Sequence, residues 1–134
     1  MRRAWRMLMI AAVVAAGMAI YFEVRASKLR RREAAYEAAA HAYARDFPAG
    51  MTRKQVEERL RGRGDGFAQN NLWKGGRTFG MIRLGEEDGG WYCRSLQVYV
   101  AFEFEHDPAE LVPQARETDV LKAVTLQKQP EGCF

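Results

Sequence analysis

The run over residues 7–22 constrains this chain more than any other feature, because sixteen successive residues carry no charge. Arg2, Arg3 and Arg6 precede it, and Glu23 and Arg25 follow it. A helix that crosses a bilayer needs about 20 apolar residues, with about 17 as the usual lower limit. Ala4 and Trp5 on one side, and Tyr21 and Phe22 on the other, supply interfacial anchors. With Arg6 snorkelling toward headgroups, the effective span reaches about 19 residues. The run therefore predicts a transmembrane helix over 7–22, acting as a single-pass signal anchor behind a basic tail over 1–6. A cleaved signal peptide shares the basic start and apolar core. Charged Glu23 and Arg25 stand where cleavage sites are usually neutral, which favours retention. The first cysteine is Cys93, so no lipoprotein attachment site follows the run.

The net charge of +4 has to be divided before it is interpreted. Residues 1–46 hold nine Lys and Arg against four Asp and Glu, whereas residues 47–134 hold twelve against thirteen. The basic excess thus flanks the apolar run. A nucleic-acid surface needs clustered positive charge on the folded module, so no nucleic-acid partner is expected. Arg25, Lys28, Arg30, Arg31 and Arg32 read as a solvated, topology-setting flank. Their functional alternative is contact with anionic lipid headgroups. Counted literally, these residues keep the following domain in the cytoplasm. A short basic tail before one span usually inserts with the tail inside, which gives the opposite orientation.

Residues 23–46 are rich in Ala, Arg and Glu, strong helix formers, and form a predicted stalk helix. Leu29, Tyr36, Ala40, Tyr43 and Phe47 fall on one helical stripe. No breaker separates this segment from the apolar run, so one continuous helix is expected. His41 lies beside the stripe, lacks a second ligand at helical spacing, and reads as an ordinary helix residue.

The stretch FPAGMTRKQVEERL over 47–60 then specifies a new helix start. Pro48 and Gly50 end the preceding helix. Thr52 as N-cap and Gln55 three residues on complete a capping box. Met51 and Val56 are placed for a hydrophobic staple. Val56 and Leu60 are the predicted buried pair, with Glu57–Arg61 as an exposed i,i+4 ion pair. Gly62, Gly64 and Gly66 end the helix. The GRGDG sequence lacks the Lys and Ser/Thr of a phosphate loop and follows a helix rather than a strand.

Strands are expected over 67–73, 78–84, 96–104 and 119–128, with a turn at Gly75-Gly76 and a connection over 106–118. Leu96, Val98, Val100, Phe102 and Phe104 alternate with more polar residues, giving one core face and one half-exposed face. Val120, Val124 and Leu126 share a face of the last strand, with Lys122 as the exception. Glu86, Glu87 and Asp88 read as a solvated loop tip, since calcium-loop spacing is missing. Glu103, Glu105, His106 and Asp107 bring ligand-type side chains together in sequence, but strand parity points only Glu103 and Glu105 the same way. No catalytic residue, metal site, cofactor or small-molecule substrate is expected. The fold class is α+β, a short capped helix on an antiparallel sheet of three to four strands within a domain over 47–134.

Cys93 and Cys133 form no CxxC motif and have no histidines beside them for zinc. They are either two buried thiols or one disulfide. A cysteine in the polar segment 129–134 has little packing reason to exist unless bonded, which favours the disulfide. Closing a 40-residue separation stabilises by about 4 kcal/mol in the chain-entropy model. A disulfide also requires an oxidising compartment, which places the domain outside the cytoplasm, in the periplasm.

Through Pro48-Ala49-Gly50-Met51-Thr52-Arg53, followed by Val56 and Leu60, the chain resembles the bacterial SmpA/BamE-like (BLIP-like α+β) group. The resemblance implies a two-layer α+β domain of the cell envelope that acts through protein contacts rather than catalysis. The chain departs from the outer-membrane lipoproteins of that group in having no lipidated cysteine and an expected spanning helix. The combined expectation is a non-catalytic module anchored in the inner membrane, with an envelope protein as partner. A cytoplasm-facing domain held on anionic lipid is the second expectation, and an enzyme the third.

Overall fold

A computed structural model of the chain describes residues 2–73, 77–105 and 115–134. It contains two helices and four strands. These are α1 (Arg2–Asp46), α2 (Arg53–Gly62), β1 (Gln69–Trp73), β2 (Arg77–Asp88), β3 (Cys93–Glu105) and β4 (Val120–Cys133). The turn expected at Gly75-Gly76 lies outside the described residues, as do His106, Asp107 and most of the connection after β3.

The continuous helix expected from the sequence is present as α1, 45 residues long. The chain divides into two compact units, Met1–Ala35 and Tyr36–Phe134. The first holds an 18-residue window of mean hydropathy 2.1, none of it buried, long and apolar enough to cross a membrane. Leu29 is exposed in this unit, so the apolar stripe begins in practice at Tyr36.

The second unit begins within α1, because Ala40 near the helix end and Phe47 just beyond it are core residues. At that end the Asp46 carbonyl accepts from Arg59 Nη1 at 2.8 Å, which satisfies one of the helix's terminal acceptors. Helix α2 starts as the capping box requires. Thr52 is extended at φ −73°, ψ 155°. Gln55 N–H donates to Thr52 Oγ1 at 3.3 Å, and Thr52 N–H donates to Gln55 Oε1 at 2.9 Å. Val56 and Leu60 are buried as expected. Glu57 pairs with Arg53 at 3.6 Å, not with Arg61.

The strands form one antiparallel sheet in the order β1-β2-β3-β4. Its inner face carries Ile82, Val100, Phe102, Phe104 and Leu121 against Ala40, Phe47, Val56 and Leu60. Among the described residues the end of α1 and helix α2 cover this inner face, which makes a two-layer α+β unit. Aromatic rings fill the layer edge to face: Phe47–Phe102 at 5.3 Å, Phe67–Phe102 at 5.4 Å and Phe67–Phe104 at 6.2 Å. Gly80 is required beneath them, since a Cβ there would stand 2.5 Å from the Phe67 ring.

The strands run further than sequence alternation indicates, for a structural reason in each case. In β2 a bulge at Leu84 shifts the register between Arg83 and Gly85, and pairing resumes through Asp88 opposite Ser95. Glu86, Glu87 and Asp88 are therefore strand residues rather than a loop tip. Glu87 lies on the sheet with an 11% exposed side chain, paired to Lys128 at 2.8 Å. The turn falls at residues 89–92, where Asp88 Oδ1 accepts from Gly90 N–H at 3.0 Å. In β4 the partner of Phe104 is Leu121 and that of Glu103 is Ala123, so Lys122 is the extra residue of a bulge. That bulge changes the phase of alternation. Leu121 is the buried residue before it, Val124 and Leu126 face inward after it, and Val120 is 42% exposed. The expected polar tail over 129–134 is mostly strand, since β4 pairs with β3 as far as Cys133.

Candidate functional site

The residues singled out from the sequence, His106 and Asp107 aside, fall among the described residues. Thr52 and Gln55 form the cap described above, an architectural role. Cys93 and Cys133 are directly opposed at the end of the β3–β4 ladder, with Cα atoms 4.0 Å apart, and are disulfide-bonded. The five cations of the basic flank all lie on α1 and are exposed. At 100° per residue, Arg25, Lys28, Arg31 and Arg32 occupy about a third of the helix circumference, while Arg30 points to the other side. Arg30 meets Glu23 at 4.0 Å. The sequence block is thus a broad basic side plus one outlier.

Of the acids grouped at the end of β3, Glu103 pairs with Arg77 at 2.9 Å and Glu105 with Lys122 at 3.2 Å. The Arg63-Gly64-Asp65 triplet is engaged internally. Arg63 bridges to Asp46 at 2.9 Å and lies over the Phe47 ring, and Asp65 accepts from Tyr43 Oη at 3.1 Å. Burial, followed by that hydrogen bond, raises the Tyr43 pKa above its ordinary value.

Two polar arrangements escaped the sequence reading. The first centres on Arg53, the opening residue of α2, whose side chain is 3% exposed. Its guanidinium stands 4.2 Å from the Phe104 ring centroid. It donates to Thr78 Oγ1 at 2.8 Å and to Asn70 Oδ1 at 3.2 Å, with buried Asp119 at 3.9 Å from Nε. Backbone bonds run parallel to these contacts: Arg53 N–H donates to Asp119 O and Lys54 N–H to Glu117 O. Desolvation lowers the Arg53 pKa from its ordinary value, with Glu57 and Asp119 opposing that shift. This cluster bolts the helix start to the sheet. A cation in the first turn opposes the helix macrodipole, and that local mismatch is the sequence signal for a tertiary role.

The second arrangement covers the outer face of the sheet. Register and strand parity place Gln69, Met81, Arg83, Glu86, Ser95, Gln97, Tyr99, Gln129 and Glu131 there. This face is less open than expected from sequence: Ser95, Gln97 and Ala101 on β3 are all buried. Gln69 and Gln129 direct their amide nitrogens at Met81 Sδ, at 3.6 and 3.5 Å, and Gln69 also donates to Gln129 Oε1 at 3.2 Å. Beside this layer runs a polar groove of about 430 Å³, with Gln97, Ser95 and Glu131 among its lining residues.

At the turn end of the sheet, Trp91 is 93% exposed and Phe134 95% exposed, each one residue from a half-cystine or its neighbour Tyr92. Trp91 and Tyr92 rings sit 5.7 Å apart, and Phe134 N–H donates to Tyr92 O at 3.3 Å. No family model, curated protein or solved structure matches the chain.

Proposed function

We propose that this chain is a single-pass, membrane-anchored protein of the bacterial envelope whose α+β unit works by binding another envelope protein. The observation that carries the reading is the aromatic corner formed by Trp91, Tyr92 and Phe134 around the Cys93–Cys133 bond. Exposed large aromatics held on a cross-linked backbone offer apolar area with little ordering cost on association, which is how interface anchors work. The apolar window in α1 supports an anchor in the inner membrane. The disulfide supports a periplasmic rather than cytoplasmic domain. The resemblance of the 48–60 segment to SmpA/BamE-like domains points the same way.

The deciding experiment places a photo-crosslinking amino acid at Trp91 in the full chain and irradiates intact membranes. One discrete adduct, lost when the probe is moved to exposed Glu58 on α2, is the expected result. Uniform labelling at both positions, or none at either, counts against the proposal.

The basic flank supports a second reading, in which the domain faces the cytoplasm and Arg25, Lys28, Arg31 and Arg32 contact anionic lipid. Protease treatment of spheroplasts separates the two readings, since only a periplasmic domain is digested.

A further inference from the structure

The chain enters its second unit at the end of the sheet that carries the aromatic corner. Tyr36 is the first residue of that unit and seats against Gly85, where a Cβ would stand 2.6 Å from the Tyr36 Oη. Further along α1, the Tyr43 ring lies 5.9 Å from the Phe102 ring. Gly85 is opposite Val98, and Val98 is four residues nearer the β2–β3 turn than Phe102. The end of α1 therefore runs away from the turn. From Gly85 to Asp88, the last residue of β2, is three strand positions, or about 10 Å, and Trp91 and Tyr92 follow in the turn.

Upstream, the thirteen residues 23–35 separate the uncharged run from Tyr36, all of them within α1. At 1.5 Å per residue they extend about 20 Å. Those lengths keep the aromatic corner within about 40 Å of the end of the run.

Size and charge then restrict what the corner can hold. Three aromatic side chains offer at most roughly 600 Å². A stable complex between freely diffusing proteins takes roughly 800 Å² from each partner. A smaller patch suffices when both proteins are held on one surface, because confinement raises their effective concentration. Within residues 88–94 and 130–134, exposed Asp88 and Glu131 stand against one exposed cation, Arg94, so the corner is slightly acidic. Anionic headgroups repel such a patch, whereas the aromatic and basic residues that fringe the spans of a membrane protein match it.

We propose, on the anchored and protein-binding reading above, that the partner of the aromatic corner is an integral protein of the same membrane. It meets Trp91, Tyr92 and Phe134 with the aromatic and basic residues just outside its spans.

The test puts a photo-crosslinking amino acid in place of Trp91 in the full chain, irradiates intact membranes, and identifies the adduct's partner by mass spectrometry. In membranes that were not irradiated, that partner stays in the pellet through an alkaline carbonate wash. A second form of the chain has a helical insert of about 18 residues between Arg32 and Glu33, which lengthens the connection by about 27 Å. Its adduct yield falls by about tenfold, because the corner is carried past the partner's membrane-level surface. Cys93 and Cys133 that resist alkylation show the lengthened chain to be folded, and if that resistance is lost the carbonate wash decides alone.

A partner released by carbonate, or an adduct yield unchanged by the insert, overturns the membrane-protein partner and leaves the protein-binding reading standing. Adducts to lipid alone, or no adduct from the parent chain, overturn both.

Discussion

The two faces of one sheet follow different rules in this protein. The inner face is filled by ring-on-ring contacts among Phe47, Phe67, Phe102 and Phe104, where shape decides. Among the described residues of this unit no helix lies over the outer face, yet Met81, Ser95, Gln97 and Ala101 are buried there as well. Long polar side chains do the covering, with Gln69 and Gln129 laid across Met81. A half-exposed face thus becomes a second, hydrogen-bonded layer without a second layer of secondary structure. Apolar packing is tolerant of orientation, whereas a polar layer requires a partner for every atom. Among the described residues, none supplies that partner to Gln97 Oε1.

The comparison can be broken most forcefully on the inner face. Phe102→Ala removes the ring that three other aromatic residues contact, and should cost about 3–5 kcal/mol in urea unfolding. A loss below 1 kcal/mol would mean that the rings repack around the gap. On the outer face, parity puts the Cys93–Cys133 bond on the same side as Gln97. The double variant Cys93→Ser, Cys133→Ser should lose about 2–4 kcal/mol, read as a fall in urea midpoint that reductant does not deepen. Gly80→Ala forces a methyl against the Phe67 ring, and overpacking of this kind should cost about 1–3 kcal/mol by thermal unfolding.

The smallest expected effect is a pH dependence. Hydrogen bonds from Ser95 and Gln97, with added attraction to Arg83 and Arg94, hold Glu86 below its ordinary value of 4.5. A depressed carboxyl contributes stability above its unfolded pKa, and that contribution fades as pH falls through the folded one. Glu86→Gln should therefore unfold in acid with a shallower slope below pH 4.5, and the difference should shrink in high salt because the group is exposed.

Much of the architecture is legible in the sequence because it rests on local rules. The uncharged run, the Thr52–Gln55 cap and the apolar alternation of β3 depend on neighbours within a few positions. The Cys93–Cys133 bond was legible for a different reason: a cysteine in so polar a segment has little packing reason to exist unless bonded, which favoured the disulfide over two buried thiols. The strand ends were harder. A one-residue bulge inverts which residues face inward, so Leu121 looks solvent-facing when read in phase with Val124 and Leu126. The acids 86–88 read as a turn by composition, but the ladder to β3 and the cation of Lys128 hold them in a strand. Arg53 and Gln97 were unreadable because their partners come from distant segments. Asn70, Thr78 and Asp119 meet at the arginine, and Glu86 and Glu131 meet at the glutamine.

The join between the start of α2 and the start of β4 has a consequence for the order in which the protein matures. Gly50 N–H donates to Leu121 O, Leu121 N–H donates to Met51 O, and Thr52 bridges Val120. The turn that launches the helix is thereby stitched to a strand some seventy residues later. Contacts so distant in sequence form late, since the intervening chain must first be ordered. During synthesis, an emerging nascent chain can form the capped helix and the β2–β3 hairpin, but it cannot lock them together. Only when β4 has left the ribosome does the helix acquire its backbone partners, so a stalled or shortened chain should present an open sheet edge to chaperones and proteases.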